Sequence, residues 1–297
     1  MPAIVEMQLP LDTVAANCRL LPGTGAVPVL VVLLHGAVNR EKRSVPFFNS
    51  FLPGIPALWQ LSVADPAMEH FDNLAACWYL GWKEERLWES LGRAIRAKAA
   101  GIGAERVFYV GGSSGGFAAL LLSHQHPGSI ALLRNPQVDL GRHVYKTATD
   151  KYFCEAWDGE PERYGVPIDL TRLYADGMPN RVIYLQSPGD RKHLHVQTAA
   201  FLAAISPRDQ ARVVFDCRYH GIVGHGGSVP QPAAMGWLAA ALAVPDNVRD
   251  WSTEMQGQYF ASNQRDRVSF VSKVASQNLA ARDFALADRI VRYQLEA

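Results

Sequence analysis

A glycine- and serine-rich segment near the middle of the chain has residue types that could form a covalent nucleophile. It reads Gly112-Ser-Ser-Gly-Gly116, a G-x-S-x-G pattern, with the apolar run 106–110 before it and the apolar run 117–120 after it. A strand that turns sharply into a helix strains one residue and lifts its side chain above the sheet, and flanking glycines prevent clashes in so tight a turn. The sequence therefore predicts Ser114 as a nucleophile at a helix start, where free N–H groups face any negative charge that develops.

A glycine-rich turn between a strand and a helix can instead hold a phosphate group. A Walker loop requires Lys followed by Ser or Thr, and a dinucleotide-binding turn requires G-x-G-x-x-G. The segment contains neither pattern. The strand–turn–helix context therefore favours the nucleophile.

A serine hydroxyl needs a general base, and the base needs a carboxylate that orients it. Asp190 lies in the loop after a predicted strand at 181–185, and His225 lies among glycines after a predicted strand at 212–215. Parallel strands present their carboxyl ends at one edge of a sheet, so these loops can converge on Ser114. We expect His225 to take the serine proton and Asp190 to hold the imidazole tautomer.

Other residues compete for these two roles. His220 lies in the same loop as His225 but closer to the strand. Glycines on both sides of His225 suit a loop that must approach a tight turn, and His225 is preferred for that reason. Asp216 follows its strand too directly to be the acid. Asp169 and Asp176 lie in the insert, and His193 and His195 lie just beyond Asp190.

The negative charge that develops on a substrate oxygen needs two N–H donors. One is expected from the residue after the nucleophile, Gly115, and the other from the loop after an earlier strand. The apolar run 28–34 continues into His35, Gly36 and Ala37. Glycine permits a close backbone approach, and either Gly36 or Ala37 supplies the second N–H.

Short apolar β-rich runs alternate with helical patterns along the chain, which predicts a mostly parallel central sheet flanked by helices, of the α/β class. Edge strands are expected within residues 3–21. Further strands are expected at 28–34, 58–63, 106–110, 130–133, 181–185 and 212–215. Helices are expected at 82–100, 114–125, 195–205 and 233–242.

The chain is divided into a catalytic domain at 1–245 and a C-terminal helical extension at 246–297. An aromatic and charged insert at about 136–180 interrupts the catalytic domain, and it is either a lid over the site or a structural segment on the sheet edge. The extension carries an apolar stripe at helical spacing, which can pack on the body or on a partner chain in an oligomer.

The composition argues against several classes of protein. Of 297 residues, 29 are Lys or Arg and 28 are Asp or Glu, for a net charge of +1, so neither nucleic acid nor an anionic membrane is an expected partner. The four cysteines have no C-x-x-C spacing, and no H-E-x-x-H pattern occurs, so no metal is expected. The first 20 residues lack the pattern of a signal peptide, and the early apolar run is too short for a membrane span. A cytoplasmic protein is expected.

The order of these parts resembles the α/β-hydrolase superfamily over roughly residues 27–242: a strand ending in His35-Gly36, the elbow around Ser114, then Asp190 and His225. A narrower resemblance joins Asp65-Pro66, Trp78-Tyr-Leu-Gly-Trp82, the Gly-Gly-Ser-Ser-Gly-Gly-Phe elbow and Gly-Asp-x-x-His at 189–193. This combination is similar to bacterial hydrolase-fold proteins associated with surface polysaccharides, some of which are O-acetyltransferases or esterases. The resemblance implies an acetylated sugar or glycan as substrate.

Three functions remain open on these residues. The first is a serine esterase in which water attacks an acyl-Ser114 intermediate, on a small-molecule or glycan ester and without a cofactor. The second is an O-acyltransferase with the same triad, in which a sugar hydroxyl attacks and acetyl-CoA would be the acyl donor. The third is a non-catalytic binding module, against which the apparently complete triad argues.

Overall fold

The central sheet has eight strands and is mostly parallel. The computed structural model describes residues 2–142, 145–243, 248, 250–252 and 254. The strands of these residues are β1 (Val5–Pro10), β2 (Ala15–Leu21), β3 (Val29–Leu34), β4 (Trp59–Val63), β5 (Gly81–Trp82), β6 (Glu85–Arg86), β7 (Arg106–Gly112), β8 (Ile130–Arg134), β9 (Arg181–Gln186) and β10 (Val213–Cys217). The sheet order is β1-β2-β4-β3-β7-β8-β9-β10, and β5 and β6 form a separate hairpin.

Burial explains the arrangement of these strands. All six residues of β3 are buried, as a parallel strand covered on both faces requires. β2 alternates between buried and half-buried residues and pairs antiparallel with β1 and β4, so it has one face toward solvent. The remaining neighbours in the sheet pair in parallel, and the carboxyl ends of β3, β7, β8, β9 and β10 therefore lie at one edge.

Helices cover both faces of the sheet. They are α1 (Pro66–His70), α2 (Leu87–Gly101), α3 (Ser114–His124), α4 (Lys146–Trp157), α5 (Leu170–Ala175), α6 (Arg191–His193), α7 (Ala199–Ala204) and α8 (Gln231–Ala243). Residues 114–123 of α3 are all buried, which fits a sequence of small and apolar residues with a serine at each end. The helix expected at 195–205 is present as a π-helical turn at Leu194–Thr198 that follows α6 and continues directly into α7.

The insert at 136–180 packs its aromatic residues into the core. Tyr152, Trp157 and Tyr174 are fully buried, and the Tyr152 hydroxyl donates to the carbonyl of Gly81 at 2.6 Å. These contacts favour a structural role for α4 and α5. Most of the predicted extension at 246–297 lies outside the described residues, so its helical stripe and its role in an oligomer stay predictions. Within the described part of the chain, no helix combines the length and the apolar character that a membrane span needs.

Candidate active site

The turn between β7 and α3 holds one serine in a backbone conformation that residues other than glycine rarely adopt. Ser113 has φ 55° and ψ −121°, whereas Ser114 is the first residue of α3 and is buried. A non-glycine residue at positive φ costs on the order of 1–3 kcal/mol and persists only where the surrounding structure imposes it. The expectation that Ser114 occupies the strained position is therefore wrong, and Ser113 occupies it.

Two glycines determine which serine the turn strains. A Cβ atom on Gly111 would lie 2.1 Å from the carbonyl oxygen of Gly115. A Cβ atom on Gly115 would lie 2.5 Å from the carbonyl oxygens of Leu34 and His35 at the end of β3. These positions tolerate only glycine, and they flank Ser113 as the G-x-S-x-G pattern requires. The overlapping pattern at 111–115 was the signal in the sequence that identifies Ser113.

The predicted acid and base are in direct contact. The Nδ1 atom of His225 lies 2.5 Å from Oδ2 of Asp190. Asp190 is buried, which by itself raises the pKa of a carboxyl group, but hydrogen bonds from His193 and His225 outweigh burial and hold the pKa below its usual range. Asp190 is therefore a carboxylate that can orient a donating imidazole.

A second histidine shares the same carboxylate. The Nδ1 atom of His193 lies 3.0 Å from Oδ1 of Asp190, and its ring stacks on His225 with 4.0 Å between the ring centroids. The main-chain N–H of His193 also points at Oδ1, at 3.4 Å. Sequence analysis left His193 out of the site. The signal in the sequence that could have identified His193 is its spacing of three residues from Asp190 at the start of a helix. His195, on the same segment, is exposed.

The loops that carry Asp190 and His225 are fastened to each other and to β8. The N–H of Gly224 donates to the carbonyl of Gly189 at 2.9 Å. Asn135, at φ 41° after β8, accepts from the N–H of Ser187 at 2.8 Å and donates to Ser228 Oγ at 2.7 Å. Asn135 thus ties the ends of β8 and β9 to the His225 loop, a role that its polar side chain and left-handed backbone allow.

The rival candidates have other contacts. Asp216 binds the guanidinium of Arg218 and accepts from Trp237 Nε1 at 2.6 Å. Asp169 caps α5 through the N–H of Thr171 at 3.0 Å, and Asp176 ends the same helix. Burial lowers the pKa of the half-buried His220, and His225 is the loop histidine in contact with Asp190.

The turn after β3 brings Gly36 against the elbow. A Cβ atom on Gly36 would lie 3.1 Å from the carbonyl oxygen of Gly112 and 3.7 Å from Cβ of Ser113. The residue that follows the strained serine is Ser114, so the N–H expected from Gly115 corresponds instead to that of Ser114. Together with the N–H of Gly36 or Ala37, it can face an oxygen bound beside Ser113.

A buried network fixes the turn after β3. His35 donates its main-chain N–H to the Tyr79 hydroxyl at 3.0 Å, and Tyr79 donates to Val63 O at 2.9 Å. The N–H of Asp65 donates to Nε2 of His35 at 3.2 Å, so the proton of this imidazole is on Nδ1, which lies 2.8 Å from Gly36 O. Burial lowers the pKa of His35 to about 4, so the ring is neutral. The hydrogen bond to Gly36 then orients the peptide groups that face the elbow.

Ser113 and His225 line one cavity of about 300 Å³ at the carboxyl edge of the sheet. The half-buried hydroxyl of Ser113 accepts from Gln137 Nε2 at 3.3 Å. The cavity is open on one side, and its other described lining residues come from the turns after β3, β7 and β8 and from the His225 loop: Gly36, Ala37, Asn49, Gly112, Arg134, Asn135, Gly226, Gly227 and Val229. Ser113, His225 and the turn that carries Gly36 and Ala37 therefore meet at one place on the sheet edge.

The Asp190 cluster also offers atoms of the kinds that bind metal ions. One ligand atom from each of Asp190, His193 and His225 lies within 4.8 Å of the others. Both imidazole Nδ1 atoms, however, contact the carboxylate directly. Hydrogen bonds of this kind orient imidazoles for proton transfer.

Comparisons with known proteins establish the fold. Neither a protein-family model nor a curated protein matches the sequence. The capsule O-acetyltransferase of Neisseria meningitidis serogroup A is structurally similar, with 15% identity and a TM-score of 0.54 over 76% of this chain and 93% of that chain. The Pyrococcus horikoshii acylaminoacyl peptidase has 13% identity and a TM-score of 0.52 over 77% of this chain. A puromycin hydrolase has 16% identity and a TM-score of 0.50 over 94% of this chain.

The present chain corresponds to 38% of the peptidase and 39% of the puromycin hydrolase. At such low identities the likeness establishes the fold alone. The chain has the α/β-hydrolase fold, which confirms the predicted fold class.

Proposed function

Starting from the α/β-hydrolase fold, we propose that this chain is a serine-dependent esterase that cleaves a carboxylic ester through an acyl-Ser113 intermediate. The observation that carries the proposal is a strained serine that lines the same cavity as His225, whose Nδ1 contacts the buried carboxylate of Asp190. Strain at this turn lifts the hydroxyl above the sheet, where a substrate can reach it. The sequence-based choice of Ser114 is replaced by Ser113, and Asp190 and His225 keep their proposed roles.

The proposed reaction has two halves. Nε2 of His225 takes the proton of Ser113 Oγ as the oxygen attacks the ester carbonyl, and the N–H groups of Ser114 and of Gly36 or Ala37 stabilise the oxyanion. The imidazolium then protonates the departing alcohol, which leaves the acyl group on Ser113. Water, deprotonated by His225, attacks this acyl-enzyme and releases the acid while the proton returns to Ser113.

Acyl transfer to an alcohol is the second candidate. The similarity to a capsule O-acetyltransferase, which covers 93% of that chain, favours it. In that reaction a hydroxyl group takes the place of water, with acetyl-CoA as the proposed donor. The two functions are separated by incubating the enzyme with p-nitrophenyl acetate, with and without a sugar acceptor, and identifying the products by mass spectrometry. Both reactions release p-nitrophenol; acetate as the only other product supports hydrolysis, and an acetylated sugar supports transfer.

Labelling with a fluorophosphonate probe tests the nucleophile. Wild type should gain one adduct by intact mass, and peptide mapping should place it on Ser113. Ser113→Ala should gain none, while the matched variant Ser114→Ala should still be labelled. Adduct formation at Ser114 would restore the sequence-based assignment. If the folded wild-type protein gains no adduct, the esterase proposal fails and the non-catalytic module takes its place.

A further inference from the structure

Arg134 lies beside the proposed nucleophile and faces the same cavity. It is the last residue of β8 and is the register partner of Gly112 in β7. Its carbonyl oxygen accepts the N–H of Ser113 at 3.1 Å. A Cβ atom on Gly112 would lie 3.6 Å from Cβ and 3.8 Å from Nε of Arg134, so the arginine side chain passes the elbow at van der Waals distance.

The guanidinium group of Arg134 has no anionic partner among the described residues. Its Nε atom is buried and has no hydrogen-bond partner there, and none of the ion pairs in this part of the chain includes it. Burial lowers the pKa of this group, yet arginine keeps its charge in proteins. Desolvating a cation without pairing it is unfavourable, so such a group is more readily explained by a ligand that completes it.

The cavity around Arg134 is otherwise nearly neutral. Of its described lining residues, Arg134 and His225 are the titratable ones, and the rest are glycine, apolar, hydroxyl or amide residues. Its volume of about 300 Å³ suits a small substrate. A guanidinium binds carboxylate and phosphate oxygens in a bidentate manner, which fixes orientation as well as charge.

We propose that Arg134 is a specificity residue that binds a carboxylate or phosphate group carried by the ester substrate close to the scissile carbonyl. The inference rests on the proposed esterase function and names its substrate class, a small anionic ester. The anionic group belongs either to the acyl part or to the alcohol part, and the two cases require different probes.

The experiment compares the ratio of kcat/KM for an anionic ester to that for its neutral counterpart. On the acyl side the pair is mono-p-nitrophenyl glutarate and p-nitrophenyl valerate. On the alcohol side, 4-acetoxybenzoate and 4-acetoxyphenyl phosphate are each compared with 4-methylphenyl acetate. The variants are Arg134→Gln and Arg134→Lys, and the matched control is Arg163→Gln, which removes an exposed arginine paired with Glu160 at the surface.

We expect wild type to prefer the anionic ester in at least one arm. Arg134→Gln should reduce that preference on the order of 10- to 100-fold, mainly through KM, because a hydrogen bond to a charged group is lost. Arg134→Lys should keep part of the preference, since the charge remains, and Arg163→Gln should keep all of it.

Two results would overturn the inference. In the first, Arg134→Gln leaves the anionic-to-neutral ratio of kcat/KM unchanged on both the acyl and the alcohol side. In the second, the Gln and Lys variants lose the preference for the anionic ester equally, which would mean that the charge does not select the substrate. Fluorophosphonate labelling of Ser113 in the same samples separates this failure from failure of the esterase proposal. If Arg134→Gln does not fold, Arg134→Lys and wild type still give the comparison, because the loss of bidentate geometry alone must lower the ratio.

Discussion

Replacing Asp190 by asparagine tests whether this carboxylate sets the tautomer of His225. The change keeps the size and shape of a buried side chain but exchanges one acceptor oxygen for an NH2 group. In the structure, Oδ1 faces two donors, the main-chain N–H of His193 at 3.4 Å and its Nδ1 at 3.0 Å, whereas Oδ2 faces Nδ1 of His225 at 2.5 Å.

The backbone determines how the amide of Asp190→Asn must lie. The main-chain N–H of His193 cannot change tautomer, so the amide oxygen prefers the Oδ1 position and the NH2 group takes the Oδ2 position. An NH2 group there requires Nδ1 of His225 to accept, which moves the imidazole proton to Nε2. His225 then cannot take the proton of Ser113, and the reaction loses its general base.

The expected loss in kcat/KM is about ten-thousand-fold, the size seen when an asparagine forces the wrong tautomer in a serine triad. This corresponds to about 5 kcal/mol of transition-state stabilisation. The assay is hydrolysis of p-nitrophenyl acetate, together with the rate of fluorophosphonate labelling and a thermal unfolding curve. Both rates should fall together while the unfolding curve remains cooperative.

A loss of less than about tenfold in a folded Asp190→Asn variant would refute this reasoning, because the tautomer argument allows no small effect. A matched comparison is Asp216→Asn. Asp216 also follows a late strand and binds Trp237 and Arg218 rather than a histidine. Its substitution should leave the labelling rate of Ser113 close to that of wild type.

Four further predictions follow from the geometry. His193→Ala should lower kcat by about 10- to 100-fold with little change in KM, because Asp190 loses one of its hydrogen-bond donors. The matched control is His195→Ala, which replaces an exposed histidine and should leave the kinetics unchanged. Equal kinetics for the two variants would exclude a positioning role for His193. Gly115→Ala should lower the free energy of unfolding in urea by about 1–3 kcal/mol, because its Cβ would lie 2.5 Å from two carbonyl oxygens, whereas Gly101→Ala meets nothing within 4 Å and should not destabilise the protein. Burial raises the pKa of Asp65 to about 7, so the contribution of its protonated form to stability is complete below about pH 4 and is lost as the pH rises towards 7. The difference in unfolding free energy between wild type and Asp65→Asn, measured in urea, should therefore shrink between pH 4 and 7, by at most about 1.4 kcal/mol per pH unit. A difference that stays the same at every pH would contradict this reasoning. Esterase activity should survive dialysis against a chelator, and activity restored only by added zinc would instead favour a metal at the Asp190 cluster.

Hydrophobic patterning in the sequence predicted the main strands of the sheet, and the ends of β7, β8, β9 and β10 lie within two residues of the predicted ends. Runs that are apolar on both faces can be stable only between two layers of helices, so the predicted runs at 28–34 and 106–110 correspond to β3 and β7 in the interior of the sheet. Because parallel strands present their carboxyl ends together, the positions of Asp190 and His225 after late strands also predicted that these residues approach each other, which their hydrogen bond bears out.

Tertiary structure alone decided which serine is strained and which side chains surround it. The frames at 111–115 and 112–116 both fit the G-x-S-x-G pattern, and the positive φ of Ser113 and the close backbone contacts at Gly111 and Gly115 select the first. The buried Nε atom of Arg134 that lacks a hydrogen-bond partner is likewise invisible in sequence, where nothing distinguishes this arginine from others at strand ends. Steric exclusion and desolvation depend on atoms that are distant along the chain, whereas hydrophobic periodicity is local, and this difference separates what the sequence determined from what the folded structure decided.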